Sequence, residues 1–248
     1  MTVCLATIGP VFRYNMYVRI NSKAVYYERP VLLGTYSFSK TYKFGKRGTS
    51  RTIMPKPSNR DKLLTEGLRV VHERGFAGAS VRDIVAAAGV PQGSFTNHFT
   101  SKEAFGLEII NLYFSDSSSM LDSTLRNEAL PPLARLRAYV DANTSRLNER
   151  GIRNGCLFGN FVVEASEHSD AIRQRVVAIL AEIERAIAAC LQAAVQAGEL
   201  APDFECARIA TFTLAALQGA TLLAKAQRSR QPVECFKHTL FTTILNRP

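Results

Sequence analysis

Gln92, Gly93, Ser94, Thr96, Asn97 and His98 fall on one side of a short segment whose other side carries Phe95 and Phe99. Short or planar hydrogen-bonding side chains in one row suit the edges of DNA bases, and a glycine among them lets a backbone come close to a phosphate or base. Ser80 and Arg82 stand just upstream and Lys102 just downstream, and a cation at that place suits a phosphate. These nine residues are the candidate DNA contacts, and no enzyme chemistry needs such a set.

The elements that would hold them can be read around the row. Ser80 with Asp83 three residues later is a helix-start signature, and Val81, Ile84, Val85 and Ala88 keep helical spacing up to Gly89, where the helix must leave through a positive φ. Val90 plugs the turn, and Pro91 supplies a pre-set first-turn φ for a second helix. Thr100 with Glu103 forms a further capping box, so a third helix is expected from about Ser101. The arrangement is a helix-turn-helix. Upstream, Ser58 with Asp61 repeats the capping signal, and Leu64, Leu68 and Val71 form the inner stripe of a helix ended by Gly75.

The stretch SVRDIVAAAGVPQGSFTNHFTSKEAF resembles the DNA-binding head of TetR/AcrR-type repressors, which usually ends in a Gly-Thr-Leu-Tyr-His-Tyr-Phe-x-Ser-Lys-Glu-like string. Gly93, Phe99, Ser101, Lys102 and Glu103 are in register with that string. The family often sets a tyrosine against the phosphate backbone. Thr96 stands at that position here, and the next aromatic is His98. The resemblance covers residues 58 to 105 by motif and the remainder by helical pattern.

Helices are expected at about 101–125, 132–150, 156–166, 169–197, 203–228 and 232–246, with breaks at Gly151, Gly198, Pro202 and Pro232. An all-α chain follows, with an atypical segment at 1–53, a helix-turn-helix domain at 54–105 and a ligand-binding and dimerisation domain at 106–248. The helices at 169–197 and 203–228 are alanine-rich and apolar, so exposed faces there would be costly in water. The resemblance makes them the dimer interface and makes the middle helices the walls of a ligand cavity. It implies a homodimer whose reading helices, ~34 Å apart, meet a palindromic double-stranded DNA operator. A small-molecule effector would release that dimer, with coupling through helix 101–125.

Composition removes other classes. The chain has 248 residues and a formal net charge of +10, but nine of its Lys and Arg against one Glu lie in residues 1 to 53, so the helix-turn-helix is not where the charge is. No apolar run approaches the ~20 residues of a spanning helix, so no membrane partner is expected. MTVCLATIGPVF lacks a basic start and makes a poor signal peptide. Cys4, Cys156, Cys190, Cys206 and Cys235 are odd in number and widely spaced, which suits a reducing cytoplasm rather than a disulfide framework. Neither these nor His72, His98, His168 and His238 form a metal-ligand cluster, and no GxSxG or GxGxxG string occurs. No metal, cofactor or catalytic constellation is expected.

Residues 1–53 are rich in aromatics, and Phe12 to Ile20 and Tyr36 to Phe44 alternate as strands do. Three readings compete for them: a basic arm on DNA, a small β-rich appendage, or upstream sequence read from an early start, with Met54 as the native one. The last is favoured.

The second candidate site is Gly155-Cys156-Leu157-Phe158-Gly159-Asn160 at the start of a helix. A thiol there lies near the positive end of the helix dipole, with Arg153 close in sequence, which favours the thiolate. The alternative is a small buried residue between two glycines. GSF…HFTSKEAFG, GCL and LLAKAQRS together look like the family branch of the N-ethylmaleimide-reductase repressor and the acrylate-utilisation regulators. That resemblance makes Cys156 an electrophile sensor, with Lys225 as a cation for its thiolate or for a ligand carboxylate. A reversibly bound unsaturated acid or other apolar ligand is the alternative effector. A cysteine-dependent electrophile-processing enzyme is the competing class, and it lacks a visible base partner for the thiol. Cys190, Cys206 and Cys235 are expected in the core.

Overall fold

The computed structural model describes residues 18–20, 23–25, 57–149, 151–165 and 167–246. Contacts divide the chain into Met1–Met54 and Pro55–Pro248. In the first unit β1 (Val18–Ile20) pairs antiparallel with β2 (Lys23–Val25), Val18 opposite Val25. β1 falls within the expected strand 12–20, whereas the second expected strand, Tyr36–Phe44, lies outside the described residues. So does whatever would choose between arm, appendage and early start.

In the second unit the described elements are all helical. They are α1 (Asn59–Arg74), α2 (Val81–Ala88), α3 (Ser94–His98), α4 (Lys102–Ser123), α5 (Pro132–Glu149), α6 (Leu157–Ala165), α7 (Asp170–Gln196), α8 (Cys206–Gln227) and α9 (Gln231–Thr239), the last running into a single wide turn, Leu240–Ile244. α1 crosses α2, α3 and α4 to make the head; α7 lies along α4, α5, α6 and α8, and α9 backs α8. The expected boundary at residues 105/106 falls inside α4, because Phe105 in the head and Ile109 and Ile110 beyond it are fully buried on one uninterrupted helix. Head and body therefore share a rigid rod.

Both expected caps at the front of the head form. Ser58 accepts from the amide of Asp61, Ser80 from that of Asp83, and each aspartate reaches back to the serine amide. Gly89 closes α2 in the left-handed region at φ 60°, where a side chain would be strained. The cap of α4 is displaced by one residue from expectation. Ser101, not Thr100, accepts from the Ala104 amide, which frees Glu103 to take a hydrogen bond from the Ser169 hydroxyl ahead of α7.

The inner stripe of α1 also differs. It is centred on Leu63, Gly67, Val70 and Val71, with Leu64 and Leu68 only partly buried beside it. Gly67 explains the rotation: a Cβ there would sit 2.3 Å from the Phe105 ring, so the missing side chain makes room for phenylalanine at the centre of the head. Phe105, Phe99 and Phe95 meet with ring centroids 4.9–5.3 Å apart, the tilted and edge-on geometry aromatic clusters favour.

Candidate nucleic-acid interface and effector cavity

The turn between α2 and α3 is held by Val90, whose amide donates to Val85 and whose side chain is buried. Pro91 to Gly93 form a tight turn, with the Ser94 amide donating back to the Pro91 carbonyl, so regular helix begins at Ser94 rather than at Pro91. Phe95 and Phe99 anchor α3 inward. Gln92, Gly93, Thr96, Asn97 and His98 are exposed beside one another, as is Arg82 on α2. The Thr96 hydroxyl donates to the Gly93 carbonyl.

Ser94 does not belong with them. It is 7% exposed and its hydroxyl accepts from the Asn59 amide, so its side chain is spent on joining α3 to α1 and cannot reach a base edge. Ser80 is exposed, but its oxygen serves the α2 cap. Lys102 lies across the Phe76 ring, 4.9 Å from its centroid, and donates to the Ala77 carbonyl in the turn between α1 and α2. Its ammonium thus braces the corner of the head, at the entrance of α4. The cap carboxylates Asp61 and Asp83 are held below the usual range, first by the hydroxyls of Ser58 and Ser80 and then by their amides.

Cys156 occupies the cap position of α6, its carbonyl accepting from the Asn160 amide. It is partly exposed and lines a cavity of about 430 Å³ with Asn160, Val162, Leu180, Leu222 and Lys225. The structure therefore brings the two effector candidates together. The Lys225 stem packs against Gly155, and its ammonium donates to the Asn160 side chain at 2.9 Å. Arg153, exposed in the preceding turn, is absent from that lining. A second, smaller cavity of about 40 Å³ lies on the other side of Cys156, lined by Tyr113, Asn143, Arg146, Leu217, Gln218 and Thr221 among others. Sequence spacing gave no sign of it, because its residues come from α4, α5 and α8.

The cavities are bolted to the head. Buried His72, in the last turn of α1, contacts the Gly155 carbonyl through Nε2 at 3.0 Å. At the far end of α6, Glu164 accepts from the Ala77 amide, and Phe161 meets Phe76 at 4.9 Å. No group of His, Cys, Asp and Glu suited to a metal occurs among the described residues. Of the remaining cysteines, Cys190 is buried as expected, Cys206 partly, but Cys235 is exposed on the outer face of the short α9.

α7 and α8 carry the expected apolar surface. Phe212, Leu222 and Leu223 on α8 and Val177 on α7 are 46 to 62% exposed, and Val163 on α6 is 80% exposed. By length and composition alone α8 would suffice to cross a membrane, although Arg208 and Lys225 interrupt its apolar residues near either end. In the fold it packs along α7 and α9.

Two family models match, that of the bacterial regulatory proteins of the tetR family over residues 63–109 and the tetracyclin repressor-like C-terminal domain over 132–240. The chain is 38% identical to the HTH-type transcriptional repressor DhaR of Mycobacterium sp. strain GP1, over 75% of this chain and 92% of DhaR. It is 31% identical to the transcriptional regulator AcuR of Cereibacter sphaeroides, over 82% of this chain and 92% of AcuR. The crystal structure of the reduced form of Escherichia coli NemR superposes with a TM-score of 0.68 at 26% identity, covering 74% of this chain and 95% of that one. The chain belongs to the TetR family, and is a DNA-binding transcription regulator of the ligand-responsive, dimeric kind rather than an enzyme.

Proposed function

We propose that this regulator is a repressor, acting in the cytoplasm where its operator lies, and that a small molecule entering the cavity at Cys156 releases it from a palindromic site. One observation carries the reading: α6 starts at the cavity with Cys156 and ends against the head with Glu164, while the neighbouring Gly155 carbonyl holds His72 of α1. A change at the sulfur is thus one residue along the chain from one head contact and one short helix from the other. Coupling runs through α6 as well as through α4. An effector shifts the two heads only by its difference in affinity for the two head spacings.

Cys156 is the reacting group in this reading. Lys225 shares the cavity with it, and an electrophile can reach the partly exposed sulfur. On the head, Arg82, Gln92, Gly93, Thr96, Asn97 and His98 face the groove, and Lys102 sits where the phosphate backbone would pass.

The test uses a duplex selected from a random pool by the protein itself. N-ethylmaleimide is expected to label Cys156 first and release the duplex, while Cys156→Ser stays bound under the same treatment. Release of the Cys156→Ser variant at the parental rate would rule out the covalent route and leave reversible occupancy of the cavity. The reversible route has its own support in the apolar walls formed by Val162, Val163, Leu180 and Leu222 and in a volume within the usual range for ligand pockets.

A further inference from the structure

We infer that the small cavity behind Cys156 is an anion subsite, in which Arg146 holds the carboxylate of an organic acid whose apolar body lies in the larger cavity. The inference rests on the reading of that larger cavity as the effector site, and it moves the charge-reading role from Lys225 to Arg146.

Arg146 is partly buried on α5 and spends two of its five donors within the protein, on the Ser117 hydroxyl and the Asp116 carbonyl. Unlike Arg60, Arg74 and Arg126, it forms no salt bridge with a carboxylate of the described residues. A guanidinium facing a cavity with donors to spare is a planar fork matched to a carboxylate. The Asn143 and Gln218 amides line the same space, and the Gln218 side chain hydrogen-bonds to no described residue. Tyr139, kept neutral because burial raises its hydroxyl above the ordinary range, interacts electrostatically with Arg146, Cys156 and Tyr113, so these groups converge. Among the lining residues none is acidic. A volume of about 40 Å³ admits a carboxylate or a few waters, not a whole ligand.

The larger cavity supplies the rest. Gly155, Cys156, Gln218 and Thr221 border both cavities, so the two are neighbours. Lys225 is less suited to hold the charge, because its ammonium is already engaged by Asn160 and its surroundings are mainly apolar. An acid bound in this way would lie across Cys156 and press on the Gly155 turn that holds His72.

Butyrate and its neutral isostere butyramide separate charge from shape. Titration calorimetry of the intact protein should show butyrate binding at least about 30-fold tighter than butyramide, the ratio expected for a desolvated charge pair, and butyrate alone should release the selected duplex. Arg146→Gln should remove the preference while leaving duplex binding and release by N-ethylmaleimide intact. Should Arg146→Gln fail to fold, Gln218→Glu, which sets a carboxylate in the same cavity from α8, should abolish butyrate binding. Equal binding of the two probes, or loss of the preference in Lys225→Gln and not in Arg146→Gln, would overturn the inference. If N-ethylmaleimide releases the duplex but butyrate does not bind, the subsite is refuted and the effector cavity stands. If neither agent releases it, both readings fall.

Discussion

Asn97 and Gln92 expose hydrogen-bonding planes on the segment that buries Ser94, so one selection experiment separates them. Asn97→Ala and Gln92→Ala should each alter the preferred base at one position, at about 1–3 kcal/mol. Ser94→Ala should leave the selected sequence unchanged and cost about 1 kcal/mol of stability through the lost bond from Asn59; a changed sequence would put Ser94 back in the groove. Lys102→Ala should weaken all duplexes alike and lower the salt slope by about one unit. The apolar side of this segment is legible from Phe95 and Phe99, but five residues of helix give too little periodicity to tell which flank faces α1, and only Asn59, 35 positions away, decides it. Cysteine chemistry divides in a comparable way. Cys190 donates to the Pro132 carbonyl, and burial pushes its thiol up to about 11. Its thiolate is therefore scarce below that pH, and mass spectrometry should find Cys190 unmodified by N-ethylmaleimide at neutral pH while Cys156 is labelled.

The caps of α1 and α2 are the elements most plainly written in the sequence, since Ser-x-x-Asp marks the start of each helix and both boxes form with three Ser–Asp hydrogen bonds apiece. Ser58→Ala and Ser80→Ala should each cost about 1 kcal/mol, and Ser80→Ala should act on stability without altering base preference. Because Asp61 and Asp83 are held below 3.8, the stabilisation they give is full above that pH and lost as pH falls through their lowered values. The two variants should therefore lose less stability than the parent in urea melts as pH is taken from 5 to acid. The rotated stripe of α1 was hidden because Gly67 carries no apolar side chain to count, although it is the position that most needs to be empty. Gly67→Ala forces the methyl into the Phe105 ring, and a loss of about 1–3 kcal/mol, read as a lower Tm, is expected. The inner cavity was illegible for a different reason. Tyr113, Arg146 and Gln218 sit on three helices, and single polar residues on amphipathic helices look like ordinary surface until packing turns them inward.

Across the whole molecule, the alanine-rich pattern of 169–197 and 203–228 foretold an apolar face, and Phe212, Leu222 and Leu223 on α8 with Val177 on α7 supply it. These side chains are already about half buried, so covering the rest of each would contribute about 1 kcal/mol or a little more, the driving force available to a dimer that uses this face. Leu222 also lines the cavity at Cys156, so a dimer formed through this face would share a wall with that cavity. Leu223 stands beside it on the same helix but outside the cavity lining, which makes it the cleaner probe of assembly. If two copies of α8 pack against each other, Leu223→Glu sets like charges face to face, and sedimentation should show a monomer with unchanged helix content. Each monomer then offers one reading helix, so the gain from engaging two half-sites together disappears and duplex affinity should fall by about 100-fold or more. Retention of a dimer with parental affinity would show that α8 is not the contact surface, and the exposed valines of α6 and α7 would be the next faces to charge.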